Sequence, residues 1–190
     1  MGPEGVQQLA VLSDLFALAL HDGPDSVAIL GIAGGNGLDR IDRQVTRRVA
    51  GVDINPAYLD IVRTRYGDLE LHGVDLSQGP APIEPVSLVH AALFFEHAGL
   101  DPALDHALRL VRNPGGRLCV VLQLPSTTSE AAVSNTGYAS IQKLKDHFQF
   151  VDPQDFRQRM NSRGFTLEQE SRHPLYGGKA LWFAMFSSRD

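Results

Sequence analysis

Cysteine is almost absent: Cys119 is the only one in 190 residues. It cannot form an intramolecular disulfide or join a multi-cysteine zinc site. Its setting, Leu118-Cys119-Val120-Val121-Leu122, marks it as a small buried hydrophobe rather than a nucleophile. Positive charge is scarce too, with 17 Lys and Arg against 22 Asp and Glu, a formal net charge of -5 and no long basic run. The broad positive face that grips a phosphate backbone is therefore not expected, nor is a nucleic-acid partner. Long apolar runs are missing: Leu9 to Leu20 is broken by Ser13 and Asp14, and the start Met1-Gly2-Pro3-Glu4 carries no basic segment. We expect neither a membrane span nor a signal peptide. Val6 stands where myristoylation wants Ser or Thr, so a cytoplasmic protein is the expectation. There is no low-complexity tract, internal repeat, catalytic triad or metal-ligand cluster, and no metal is expected.

What is present is an ordinary globular composition, 43% hydrophobic and 21% charged. That amount of apolar material in a chain of this length predicts one well-buried domain over residues 1–190. Val6, Leu9, Leu12, Phe16 and Leu20 recur at spacings of three and four, predicting an N-terminal helix within residues 1–24 that Gly23-Pro24 stops. Strands are predicted over 26–32, 48–54, 69–74, 86–93 and 117–124. Helices are predicted after the Gly-rich turn around Leu38 and Ile41, over 57–66 with Asn55 as N-cap, and over 100–111. Residues 125–190 break the rhythm. They offer helices around 141–148 and from Asp152-Pro153 onward, then strands 165–170 and 181–186 joined by a loop containing Gly177-Gly178. The expected fold is α/β, a doubly wound, mostly parallel seven-stranded sheet with an antiparallel C-terminal hairpin and helices on both faces.

The central signal is Ile29-Leu30-Gly31-Ile32-Ala33-Gly34-Gly35-Asn36-Gly37, a buried strand turning through glycines toward a helix. Positions without side chains let backbone approach a ligand, and a helix N-terminus offers unpaired N–H donors. A tight turn with no ligand is the alternative. Asp53, at the end of the second strand in Val52-Asp53-Ile54-Asn55-Pro56, favours the ligand. In a doubly wound sheet ligands sit beyond the carboxyl ends of the strands, so Asp53 and the loop would share one crevice. There a carboxylate can accept both hydroxyl protons of a ribose.

In these segments the chain resembles the class I S-adenosylmethionine-dependent methyltransferases, with their Rossmann-like fold. Their glycine motif is an acidic residue and then apolar-Gly-x-Gly-x-Gly; here Gly31 holds the acidic place and Ala33 that of the first glycine, while Gly35 and Gly37 are kept. Arg112-Asn113-Pro114-Gly115-Gly116-Arg117 looks like the family's Pro-Gly-Gly turn into the fifth strand. The resemblance spans residues 26–124, which become a cofactor-binding core, leaving 125–190 to the acceptor side. It implies S-adenosylmethionine as cofactor. The binding positions it implies are Gly31, Ala33, Gly35, Asn36 and Gly37 on the loop, Asp53 and Ile54 for the ribose and its surroundings, Asp75 and Leu76 beside the adenine, and Ala91 near the methionine moiety. With Gly31 in the acidic place, the ammonium of that moiety needs another acceptor, either a backbone carbonyl near Gly31 or Glu96.

Methyl transfer from a sulfonium asks mainly for alignment and exclusion of water. If the acceptor carries a proton, Phe94-Phe95-Glu96-His97 offers His97 as a base, against the alternative of a solvated loop histidine beside two aromatics, one of which could sit against the adenine or sulfonium. Gln123, Ser126 and Tyr138 are placed to line an acceptor pocket. His90-Ala91-Ala92-Leu93 replaces the Pro-Pro-aromatic tetrapeptide of enzymes that methylate exocyclic amines. A small-molecule acceptor is preferred, and a homo-oligomer stays open. Two other readings stay open as well: an NAD(P)-dependent oxidoreductase, whose dinucleotide site also uses glycines and an acid, and a module that binds the cofactor without turnover.

Overall fold

A computed structural model describes residues 2–126 and 148–188. Seven strands form one sheet: β1 (Ser26–Leu30), β2 (Arg48–Val52), β3 (Glu70–His72), β4 (Leu88–Ala92), β5 (Arg117–Leu124), β6 (Phe165–Pro174) and β7 (Ala180–Ser188), in the order β3-β2-β1-β4-β5-β7-β6. Pairings among β1 to β5 are parallel, and β7 runs antiparallel to both β5 and β6. This is the expected doubly wound sheet with its antiparallel hairpin. The β6–β7 register skips one residue between Leu167 and Gln169, a bulge in the edge strand.

Side chains alternate across the central strands and build a core on each face. Leu118, Val120 and Leu122 of β5 join Trp182, Ala184 and Phe186 of β7 on one side. On the other, Cys119 and Val121 meet Leu181, Phe183 and Met185. The first core is closed by α3 (Phe95–Ala98), α4 (Ala103–Leu108) and α5 (Pro153–Ser162). The second is closed by α1 (Pro3–Ala19) and α2 (Pro56–Tyr66), whose N-cap is Asn55 as expected. Cys119 is wholly buried, and desolvation pushes its thiol well above the ordinary range, in keeping with a packing role.

Two connections differ from the sequence reading. No α-helix follows β1; a single 3₁₀ turn, Leu38–Arg40, stands there. Between 38 and 48 only Leu38, Ile41 and Val45 are apolar, and Val45 is 44% exposed, so no stripe exists for a longer helix to bury. The span 100–111 gives a shorter helix, α4, preceded by α3, with Gly99 at φ +78° separating the two. The β3–β4 crossover, which carries Pro80, Pro82 and Pro85, has no helix. The helix expected around 141–148 falls largely outside the described residues. Among the described residues no helix is long and apolar enough to cross a membrane.

Two carboxylates fix strand ends. At the N-terminal ends of β1 and β4, Asp25 accepts hydrogen bonds from the Ser26 and Ser87 hydroxyls at 2.8 Å each and from the Arg112 guanidinium at 3.0 Å. These donors hold its carboxyl far below the usual range. At the opposite ends of β4 and β5, Glu96 is fully buried: Oε1 accepts the Gln123 N–H at 2.6 Å and Oε2 has no partner. Burial pushes its carboxyl up to about 7. His90, buried against the Phe16 ring at 4.5 Å, is pushed down to about 4 by the same desolvation.

Asp25→Ala is expected to lower the unfolding free energy at pH 7 by about 1 kcal/mol, a modest value because the pair is exposed. Urea denaturation reads it. The difference from wild type should shrink as pH falls below the ordinary carboxyl value of 3.8, since a depressed folded-state value confers stability only above that range. Glu96 has the opposite sign. Its raised value means that stability is lost as pH climbs from 4.5 to about 7, so Glu96→Gln should stabilise the protein at pH 8, on the order of 3 kcal/mol, and do little at pH 4. His90 adds an opposing slope in wild type and variant alike, so the difference between the two denaturation series isolates Glu96.

Candidate functional site

β1 lies between β2 and β4: from β1 the chain builds outward to β2 and β3, then crosses back to β4 and β5 on the other side, which makes the C-terminal end of β1 the topological switch point where a crevice opens. Both Gly31 N and Ile32 N donate to Val52 O, at 2.9 and 3.0 Å, carrying the loop across the end of β2. Gly31, Ala33, Gly35 and Gly37 all take left-handed backbone, at φ +67°, +45°, +81° and +83°. Ala33 thus adopts, with a side chain, a conformation that glycine reaches freely. The loop divides its labour. Gly31 and Ala33 are exposed, whereas Gly35 and Gly37 are buried, and a Cβ on Gly35 would stand 2.8 Å from the Tyr66 ring.

Asp53 meets this loop directly. Its Oδ2 accepts the Ala33 N–H at 2.9 Å and its Oδ1 accepts the Asn55 N–H at 2.8 Å. Each carboxylate oxygen retains a second lone pair for a ligand hydroxyl. Beside it Ile54 is 69% exposed, an apolar side chain at the rim of the same crevice.

The supports of the loop escaped the sequence reading. Arg65 Nη1 donates to Gly34 O at 2.9 Å and the Tyr66 hydroxyl donates to Gly35 O at 3.1 Å, so the last turn of α2 holds two loop carbonyls. These partners are 31 residues apart in sequence, and no local spacing announces them. Asn36 turns away from the crevice and donates to Leu9 O of α1 at 3.0 Å.

The remaining positions disperse. Asp75 accepts from the Ser77 N–H at 2.9 Å and hydroxyl at 2.6 Å, closing a turn after β3. The side chains of Leu76 and Ala91 belong to the first core. Glu96 has no exposed surface, in contrast to an open acceptor for a ligand cation. His97 is part of α3 and not a solvated loop residue: its ring is half-buried and packs edge-on to Phe148 at 5.3 Å, its Nδ1 has no partner, and burial lowers its pKa. Gln123 and Ser126 follow at the end of β5, with the Ser126 hydroxyl donating to Gly177 O at 3.3 Å. Tyr138 lies outside the described residues. A separate cleft of about 320 Å³, lined by Leu38, Ile41, Val49, Tyr66 and Leu69 among others, opens toward the starts of β2 and β3, away from Asp53.

Known proteins share this architecture. The N-methyltransferase NodS from Bradyrhizobium japonicum WM9 superposes with a TM-score of 0.67 at 14% identity, over 100% of this chain and 98% of its own. Magnesium protoporphyrin IX methyltransferase ChlM from Synechocystis PCC 6803, solved with bound S-adenosylmethionine, gives 0.68 at 15% identity over 97% of this chain and 81% of its own. The [4+2]-cyclase SpnF gives 0.68 at 15% identity, over 94% and 80%. At such identities the likeness establishes the fold. A family model described as a methyltransferase domain matches residues 7–170. The chain therefore belongs to this methyltransferase-domain family and has the Rossmann-like fold of class I S-adenosylmethionine-dependent methyltransferases.

Proposed function

We propose that the chain binds S-adenosylmethionine over loop 31–37 and Asp53 and transfers its methyl group to a small-molecule acceptor. The observation that carries this reading is the 2.9 Å contact between Ala33 N and Asp53 Oδ2, which brings the Gly-rich loop and the acid together at the switch point. The residues suit an adenosine. The free lone pairs of Asp53 accept ribose hydroxyls, and the exposed Ile54 offers an apolar surface beside them. The small-molecule acceptor is supported by ChlM, a fold neighbour named for magnesium protoporphyrin IX.

The bound cofactor supplies an electrophilic methyl carbon on a sulfonium. The chain has to orient and shield: the loop and Asp53 fix the nucleoside, and the acceptor is aligned from the β4 and β5 side. His97, kept neutral by burial, is the side chain assigned to take a proton from an acceptor that must lose one.

The nicotinamide reading needs a helix N-terminus behind the glycines to hold a pyrophosphate. Only the 3₁₀ turn Leu38–Arg40 is there, which counts against it. Binding without methyl transfer is separated from the proposal by incubation with radiolabelled methyl donor and pools of small-molecule acceptors, where persistent absence of label favours the inactive module.

Isothermal calorimetry should show S-adenosylhomocysteine binding and no comparable heat with NAD(H) or NADP(H); tight nicotinamide binding alone would overturn the assignment. Asp53→Ala is expected to weaken S-adenosylhomocysteine binding by about 1–3 kcal/mol, roughly five- to a hundred-and-fiftyfold, with an unchanged far-UV circular dichroism spectrum.

A further inference from the structure

Resting on the cofactor reading above, we infer that the Phe94 ring, packed against Gly31 across the mouth between β1 and β4, is the recognition element for the cationic methionyl end of the ligand. Three observations lead there.

The first is how Leu93, Phe94 and Phe95 are divided. Leu93 takes left-handed backbone at φ +53° where β4 ends. Leu93 then packs against the second core and Phe95 is wholly buried in the first, while Phe94 packs against the first core and edge-on to Phe95 at 5.1 Å and stays half-buried. The part of the Phe94 ring that the first core leaves uncovered is available to a ligand.

The second is its neighbour. A Cβ built on Gly31 would lie 3.4 Å from Phe94 Cδ2, and Gly31 itself is exposed at φ +67°. A side chain at 31 would be strained by its backbone, and its Cβ would already be in van der Waals contact with the ring, so Phe94 lies directly beside Gly31. The two residues leave adjacent parallel strands, β1 and β4, at the switch point where the crevice opens.

The third is the fate of the nearby carboxylates. Asp53 gives one lone pair of each oxygen to Ala33 N and Asn55 N and lies on the β2 side. Glu96, two residues beyond Phe94, is fully buried and turned to the Gln123 N–H. S-adenosylmethionine carries two onium groups, a sulfonium and an ammonium. A ring face attracts such a cation through its quadrupole within about 6 Å. Phe94 is the half-buried aromatic ring at the β4 side of the mouth.

The test measures affinities of wild type, Phe94→Leu and a protein with pentafluorophenylalanine placed at 94 alone, each against S-adenosylmethionine, S-adenosylhomocysteine and uncharged 5′-methylthioadenosine. The fluorinated ring keeps the shape and reverses the quadrupole, so it tests the idea even if Phe94→Leu folds poorly. Both variants should lose about fivefold or more in affinity for S-adenosylmethionine and less than twofold for methylthioadenosine. A matching loss for S-adenosylhomocysteine assigns the ring to the ammonium; a loss confined to S-adenosylmethionine assigns it to the sulfonium. Equal losses on all three ligands, or none with the fluorinated ring, overturn the inference while leaving the cofactor assignment intact. Failure of wild type to bind any of the three removes the cofactor assignment and this inference together.

Discussion

A carboxylate at the end of β2 organises the crevice before any ligand arrives. Asp53 accepts one N–H from the loop that leaves β1 and one from the turn that starts α2. Both donors are backbone groups, which would otherwise need other partners in a partly buried setting. The loop's left-handed residues let the Ala33 amide turn toward the acid, and Arg65 and Tyr66 hold its carbonyls from behind. Strand end, loop and helix are thereby referred to one another through a few hydrogen bonds, and the open lone pairs of Asp53 are aimed by protein contacts rather than by the ligand.

The sheet supplies the rigidity this needs. Its central strands are covered on both faces, so the ends that carry Gly31, Asp53 and Phe94 are anchored in two cores. At the far end, the Asp25 cluster ties β1 and β4 to Arg112 ahead of β5. Glu96 performs the corresponding task beside the crevice, at the cost of a carboxyl oxygen with no partner. Such a group is expensive to bury. It places chemistry-capable polarity at the β4–β5 end of the sheet without exposing it.

Much of the fold was legible because buried strands leave short β-branched and apolar runs; β5 matches its expected span, and the Gly-rich segment and Asp53 sit on strand ends that such runs define. The helix expected after β1 rested on Leu38 and Ile41 at a spacing of three, but an α-helix needs a stripe to bury, and the residues that follow are polar or exposed. Loop support by Arg65 and Tyr66 was invisible because it links positions 31 apart. The burial of Glu96 was equally hidden: a glutamate next to two phenylalanines reads the same whether it faces solvent or a strand end. Gly31 could be read as an absence from a motif, whereas its neighbour across the mouth appears only when β1 and β4 are laid side by side.

The bulge in β6 decides which layer an edge-strand acid belongs to. Directly paired residues of antiparallel strands point to the same side, and one inserted residue reverses the parity of everything beyond it. With the insertion, Glu170 pairs with Ala184 and shares the side of Trp182, where its carboxylate takes the indole N–H at 2.8 Å and the Arg157 guanidinium at 3.1 Å. Paired without the bulge, the same sequence would set Glu170 opposite Phe183 and leave the tryptophan donor without its acceptor. It would also bring a charge onto the apolar side of a strand that, among the described residues, has no further neighbour at its outer edge. The insertion therefore works as a sorting device: it lets an exposed edge carry charges that discourage pairing with foreign strands while each of them finds a home on the proper side.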